Sequence, residues 1–87
     1  MLETALMCLA LNIYFEARSE PIQGQIAVAE VTLNRVASKH YPNDICGVVL
    51  QDNSENCQFS WWCDGKSDYP REENSLRTSK ALAQLML

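Results

Sequence analysis

The sequence predicts a small α+β domain that is mainly α-helical and carries one short β-hairpin. Apolar residues recur at spacings of three and four, as in Leu6, Leu9 and Ile13, which is the period of a helix with one buried face. Only three Gly and three Pro occur among 87 residues, a composition that favours helices over a turn-rich sheet. A chain of this length has room for one domain, so we expect a single domain over residues 1–87.

The charge of the chain argues against some classes of binding partner. Seven basic residues are scattered among eleven acidic ones, and the net charge is −4. Without a basic stripe, duplex nucleic acid and anionic membranes are poor partners, whereas a neutral polymer such as a glycan is compatible. The apolar run from Ala5 to Leu11 is too short for a membrane span and follows no basic segment, so we expect neither a span nor a visible signal peptide. We expect a monomer.

Three helices are predicted in the first half of the chain. The first runs from about Glu3 to Arg18. Pro21 opens the second at its first turn, and an apolar stripe carries that helix to about Ser38. A short third helix is expected from about Asp44 to Leu50, with Asn43 or Asp44 as its cap.

The second half contains the predicted hairpin and a last helix. Cys57 to Cys63 is the one segment dense in strand-favouring aromatic residues, and Asp64-Gly65 after it is a turn signal. As neighbours in a strand, Trp61 and Trp62 would face opposite ways, one buried and one available to a ligand. The last helix begins at about Asn74 and reaches Leu87 with no residue typical of a helix end, so the chain looks cut short.

Four cysteines suggest an oxidising environment, which a removed signal or cell lysis would provide. A Cys57–Cys63 disulfide across the hairpin is the favoured pairing, and pairing of Cys46 with either of them is the alternative. Cys8 is interpreted as a buried free thiol. A zinc site built from His40 and three cysteines is disfavoured because no metal-ligand spacing is present, so we expect no metal.

Glu16 is the candidate catalytic residue. It is the next residue reached by the stripe of Leu6, Leu9 and Ile13, which predicts a position at the edge of the core. A carboxyl that loses hydration there has a raised pKa, as a general acid working near neutrality requires. A surface glutamate with no role is the alternative interpretation.

A longer motif surrounds Glu16. An aromatic residue precedes Glu-Ala-Arg, a small residue, Glu-Pro, Gly-Gln and an Ala/Val-rich helix that ends in Asn-Arg-Val, all between Ile13 and Val36. Further matches are Tyr41-Pro42, Cys46-Gly47-Val48-Val49 with Gln51, Gln58-Phe59-Ser60 and Asp64-Gly65. The chain thereby resembles the spore-cortex-lytic (SleB-type) cell wall hydrolases over about two thirds of its length. Ser19 departs from the Gly of many members, and the final family segment is missing.

The resemblance implies a lysozyme-like domain that acts on the cell wall, in the periplasm or outside the cell. It would cleave the β-1,4 bond between N-acetylmuramic acid and N-acetylglucosamine in peptidoglycan, by lytic transglycosylation or as a muramidase. The family's catalytic glutamate falls on Glu16. A single acid fits the absence of a clear second carboxylate, although Asp52 and Asp64 are candidates. Such a mechanism requires no cofactor.

Several polar and aromatic residues are candidates for substrate binding. Glu20 lies next to a helix start and is interpreted as a capping or dipole-complementing acid rather than a second catalyst. The substrate-binding candidates are Tyr14, Glu20, Gln51, Gln58, Phe59 and Ser60. Each has a structural alternative, as a core ring or as a loop residue bonded to nearby backbone.

Two rival functions belong to other classes. A glycan-binding domain would use the same groove without turnover, and dye release from labelled cell walls would distinguish it from an enzyme. A helical interaction module would use the apolar stripes as a partner surface, and a monomer without an exposed apolar face would argue against it.

Overall fold

The protein is described here from a computed structural model, which covers residues 4–52 and 57–87. Its helices are α1 (Ala5–Ala17), α2 (Ile22–Ala37), α3 (Ile45–Val49) and α4 (Glu73–Met86), with a single 3-10 turn at Ser60–Trp62. The prediction of a mainly helical domain is therefore confirmed. None of the helices in the described ranges has the length and apolar character needed to cross a bilayer.

Helix α1 is the centre of the fold. Thr4 caps it by accepting a hydrogen bond from the backbone N–H of Met7 at 3.1 Å. It packs against α2, α3 and α4, and for this reason its burial extends around most of its circumference rather than along one stripe. Its buried residues are Cys8, Leu9, Ala10, Leu11, Asn12, Ile13, Tyr14 and Ala17.

The other helices pack against α1, and each buries fewer of its own residues than α1 does. Helix α2 buries Gln25, Ala29 and Thr32, and α4 buries Ser79 and Ala83. The Asp44 carboxylate caps α3 by accepting from the N–H of Gly47 at 2.6 Å. Of the two predicted caps, Asn43 and Asp44, the structure therefore uses Asp44.

The predicted β-hairpin at Cys57–Cys63 is wrong. Over the described residues this segment contains the 3-10 turn and one isolated antiparallel bridge between Asp52 and Cys57. A disulfide joins Cys57 to Cys63, whose Cα atoms lie 6.1 Å apart, and a chain of six steps closed over that distance cannot extend as a strand. Residues 53–56, which precede this segment, lie outside the described ranges.

The two tryptophans therefore do not alternate across a strand. Trp61 is buried and Trp62 is half-buried. Their rings meet edge to face with centroids 6.0 Å apart, which is a favourable arrangement for neighbouring aromatic rings. Both rings thus contribute to packing.

The interpretation of Cys8 as a free thiol is also wrong. Cys8 and Cys46 form a disulfide with a Cα–Cα distance of 5.3 Å, which links α3 to the N-terminal half of α1. With Cys57 bonded to Cys63, all four cysteines are paired. None therefore offers a thiolate to a metal ion.

Candidate functional site

Glu16 occupies the last turn of α1, where buried residues lie on both sides of it in the sequence. Ile13, one turn earlier, is fully buried, and Ala17 is 4% exposed. Glu16 itself is open to solvent, yet the surrounding protein removes enough water to raise the pKa of its carboxyl above the ordinary value of 4.5. A carboxyl that is accessible and retains its proton to higher pH has the two properties of a general acid.

A buried network of hydrogen-bonded side chains is centred on Asn12, one turn before Glu16. Asn12 is fully buried; its Nδ2 donates to Thr32 Oγ1 at 3.0 Å, and its Oδ1 accepts from Trp61 Nε1 at 2.8 Å. The Thr32 hydroxyl in turn donates to the carbonyl of Val28 at 2.9 Å. Asn12 and Glu16 are four residues apart and therefore lie on the same face of α1. The hydrogen bonds of Asn12 attach α2 and the 3-10 turn to that face.

The residues beside Glu16 in the motif attach the end of α1 to the start of α4. Tyr14 Oη accepts from the backbone N–H of Glu72 at 2.9 Å, and Glu72 is the N-cap residue of α4. Arg18 Nε donates to Glu72 Oε2 at 2.9 Å, and its guanidinium lies 4.8 Å from the Tyr14 ring centroid. Phe15 stacks on Trp61, with ring centroids 4.8 Å apart. The motif therefore builds the surroundings of Glu16.

Glu20 and the first turn of α2 pack closely. A Cβ at Gly24 would lie 3.0 Å from the Cβ of Glu20 and 3.6 Å from its Oε1, so the missing side chain makes room for Glu20. Gln25 Nε2 donates to the Glu20 carbonyl at 3.1 Å, which fixes the turn between α1 and α2. The Oε1 of Gln25 is buried and has no hydrogen-bond partner within the described ranges.

Two of the predicted substrate-binding residues belong to the core instead. Tyr14 is 2% exposed and Phe59 is 7% exposed, so neither ring has a free face for a sugar. The guanidinium of Arg35 lies 5.1 Å from the Phe59 ring centroid and 5.2 Å from that of Tyr41. This explains the Arg of the Asn-Arg-Val motif as a packing residue.

The polar candidates remain near the surface. Gln58 and Ser60 are exposed, and Gln51 is half-buried. The backbone N–H of Gln58 donates to the Gln51 carbonyl at 3.1 Å, which brings these two residues together. The side-chain Oε1 of Gln51 is buried without a hydrogen-bond partner in the described ranges. Asp52 and Asp64 are exposed.

Two cavities lie along another face of α1. The larger, of about 500 Å³, is bordered on α1 by Met7 and Leu11. The smaller, of about 280 Å³, is bordered by Phe15 and Arg18. Trp61 lines both, so the Asn12–Trp61 bond positions the wall between them. Glu16 is not among the described residues that line either cavity.

Comparison with known proteins places this arrangement in a family. A sequence model described as cell wall hydrolase matches residues 19–87. The chain belongs to the cell wall hydrolase family. The matched region begins three positions after Glu16, so the family match does not include that residue.

Curated relatives of this cell wall hydrolase match over a shorter stretch. A spore cortex-lytic enzyme of Bacillus subtilis is 49% identical over 43 residues, which are 49% of this chain and 14% of the relative. Relatives with the same name from Bacillus cereus and Oceanobacillus iheyensis are 49% and 46% identical over 43 residues, covering 17% and 16% of their lengths. The chain thus spans a small part of the relatives it matches. No solved structure matches it significantly.

The sequence analysis of this family member assigns no role to Asn12, Thr32 or Gln25, although Gln25 is the Gln of the Gly-Gln motif. Each is a polar residue with little or no exposed surface: Asn12 and Thr32 are fully buried and Gln25 is 6% exposed. Asn12 was visible only as an interruption of an apolar run. A polar residue within a buried helical stretch is a signal, because burial of an amide is costly unless it forms hydrogen bonds.

Proposed function

We propose that this domain is a lysozyme-like enzyme that cleaves the glycan strands of peptidoglycan, with Glu16 as both general acid and general base. The observation that carries the proposal is the state of Glu16, a solvent-accessible carboxyl with a raised pKa within the Glu-Ala-Arg motif. Membership of the cell wall hydrolase family supports the substrate class. The names of the curated relatives agree with it.

The proposed reaction is lytic transglycosylation of the bond between N-acetylmuramic acid and N-acetylglucosamine. The protonated Glu16 carboxyl donates its proton to the glycosidic oxygen as the bond from the muramic C1 breaks, and the departing sugar leaves as an alcohol. The resulting carboxylate then accepts the proton of the C6 hydroxyl, whose oxygen bonds to C1. Glu16 is restored as the acid, a 1,6-anhydro ring forms, and no water is consumed.

The matched variants Glu16→Gln and Glu30→Gln test the assignment. Both residues are exposed helix glutamates, but only Glu16 belongs to the Glu-Ala-Arg segment of the motif. Glu16→Gln keeps the side-chain shape and cannot exchange a proton, so dye release from labelled cell walls should fall about 10²-fold or more. Glu30→Gln should retain the wild-type rate. Wild-type lysis by Glu16→Gln would refute the role of this residue.

The products test the chemistry independently. Transglycosylation leaves anhydro ends that borohydride cannot reduce, whereas hydrolysis adds one water and leaves reducing ends. Mass spectrometry of the muropeptides separates the two outcomes. Mainly reducible muramic ends would contradict transglycosylation and direct the search for a second carboxylate to Glu20, Asp52 and Asp64.

A further inference from the structure

The larger cavity is separate from the proposed catalytic position. Met7 contributes to its α1 wall, and Glu16 follows Met7 by nine positions. At 3.6 residues per turn, nine residues correspond to about two and a half turns, so the two side chains project from opposite sides of α1. The proposed chemistry at Glu16 therefore leaves this cavity without a role.

The cavity has the size and lining of a ligand site. Its volume of about 500 Å³ falls within the range of about 300–1,000 Å³ usual for such sites. Leu11 and Leu76 supply aliphatic surface, and Trp61, Tyr69 and Pro70 supply rings. Tyr69 is 71% exposed, so its ring is available to a ligand.

The charged residues that line the cavity are both acidic. Asp68 and Glu73 both line it, and in the described part of the chain neither carboxylate has an ion-pair partner. Loss of hydration, followed by the nearby charge of Asp64, raises the pKa of Asp68. A ligand cation would offset both effects, and the rings of Trp61 and Tyr69 also favour a cation.

An adjoining cavity of about 220 Å³ supplies the opposite charge. It shares Glu73 and Leu76 with the first and adds Arg77 and Lys80. These four residues are spaced as i, i+3, i+4 and i+7, which places them along one face of α4. With a rise of 1.5 Å per residue, the Cα atoms of Glu73 and Lys80 are about 10 Å apart along the helix.

We propose that the two adjoining cavities bind a short zwitterionic peptide of the kind attached to peptidoglycan glycan strands. The side-chain ammonium of its diamino acid would lie in the larger cavity near Asp68 and Glu73, and its terminal carboxylate would lie near Arg77 and Lys80. The separation of about 10 Å corresponds to about three extended residues. A neutral glycan would use neither charge. The choice of a wall peptide rests on the proposed function.

Calorimetric titration of the whole chain with a synthetic stem tetrapeptide containing lysine tests the proposal. Two analogues serve as ligand controls, one with the lysine side chain acetylated and one with the C-terminus amidated. Each should bind the wild-type protein about three- to tenfold more weakly, because each removes one charge-assisted contact. A peptide-free glycan oligomer should not compete.

Protein variants test which charged group of the peptide each cavity residue contacts. Asp68→Asn should weaken binding of the lysine peptide and leave binding of the acetylated analogue unchanged. Lys80→Gln should weaken binding of the free acid and leave the amide unchanged. Glu30→Gln, which changes an exposed acid outside both cavities, should bind all three peptides as wild type does, and thermal unfolding should verify that every variant is folded.

Equal affinity for the three peptides, or no binding by the wild-type protein at millimolar concentration, would overturn the proposal. Cleavage of peptide-free glycan strands by wild type and Glu16→Gln tests the proposed function separately. Loss of cleavage in Glu16→Gln without peptide binding would reject only the peptide site. Peptide binding with unimpaired cleavage by Glu16→Gln would reject only the catalytic assignment.

Discussion

Glu16 gains a raised pKa without becoming an interior residue. Its backbone continues the stripe in which Leu9 and Ile13 are fully buried, while its side chain remains open to solvent at the end of α1. Burial of neighbouring residues thus tunes a carboxyl that substrate can still reach, and no partner charge is needed to shift it.

The first prediction concerns pH. A general acid must be protonated, so the rate should fall as pH rises through the pKa of Glu16. Because that pKa is raised from 4.5, kcat/KM should decline at a higher pH than an ordinary glutamate would give. A pH–rate profile on soluble glycan strands measures this, and a decline centred at or below the ordinary value would contradict it.

The same shift has a consequence for stability with a definite sign. The unfolded chain releases the Glu16 proton at the ordinary pKa and the folded chain at a higher one, so ionisation favours unfolding. This destabilisation is absent below the ordinary pKa, grows as pH rises through the raised pKa and is constant above it. The stability of Glu16→Gln minus that of wild type should therefore increase from pH 4 to pH 7. Thermal unfolding of both proteins at the two pH values checks the direction of this change.

Asn12 provides the second prediction. Asn12→Leu keeps approximate volume but leaves the buried Trp61 Nε1–H without its acceptor, which should cost about 1–3 kcal/mol of unfolding free energy. In a Trp61→Phe background the same substitution should cost less, because the N–H is already gone. Urea unfolding of the four proteins gives the coupling energy, and a coupling near zero would mean that the bond adds no stability.

The difference between Glu16 and Asn12 shows what local patterns can reveal. Glu16 was identified because its own helix supplies the apolar period that leads to it. The partners of Asn12 lie 20 and 49 positions away, and no local period encodes such contacts. The sequence predicts Tyr14 and Phe59 as substrate-binding residues with a core position as the alternative, and no local pattern distinguishes the two; their burial shows that both rings pack in the core.

At the scale of elements, the junction of α1 with α4 combines an ion pair and a neutral hydrogen bond. The Arg18–Glu72 pair is substantially exposed, at 34% and 57%, so its contribution should be small. The Tyr14 hydroxyl is bonded to the Glu72 N–H in a part-buried position. We therefore expect the neutral bond to stabilise the junction more than the charges do.

The third prediction follows from that comparison. Tyr14→Phe should destabilise the domain by about 1 kcal/mol, because the Glu72 N–H loses its acceptor. Arg18→Gln should cost less, and its small effect should shrink further in high salt. Urea unfolding at two salt concentrations measures both changes. A larger loss from Arg18→Gln would show that the ion pair is the principal tie.

The bounds of the helices could be predicted from the sequence to within a few residues. The signals that set them, namely the apolar period, the capping residues and Pro21, all lie in the helices themselves or next to them in the sequence. The segment from Cys57 to Cys63 was not, since its aromatic residues favour a strand while its disulfide and the Trp61–Asn12 bond require a compact turn. Tertiary and covalent constraints thus override an intrinsic preference for strand.

At the scale of the whole molecule, two disulfides constrain loops of different length. They join residues 38 and 6 positions apart. A domain of 87 residues buries a smaller share of its surface than a larger one, so constraints on its unfolded state carry more weight. The longer loop also links α3 to the central helix, a pairing that sequence spacing could not select.

The fourth prediction ranks the two bonds. By the chain-entropy estimate, removing Cys8–Cys46 as a double alanine variant should cost about 4 kcal/mol, and removing Cys57–Cys63 about 2 kcal/mol. Urea unfolding under non-reducing conditions tests the order. Greater destabilisation by loss of the shorter loop would indicate that loop closure is not the dominant contribution.

The packing of α4 along α1 also has a consequence for synthesis. Tyr14 and Glu72, which meet at that junction, are 58 positions apart. Because a ribosome delivers the N-terminal part first, α1, which is buried on most sides in the finished domain, emerges before the segment that covers it. During that interval its uncovered side is available to chaperones and to other nascent chains. Slower translation therefore prolongs the period in which the chain is most prone to aggregate, whatever the stability of the finished domain.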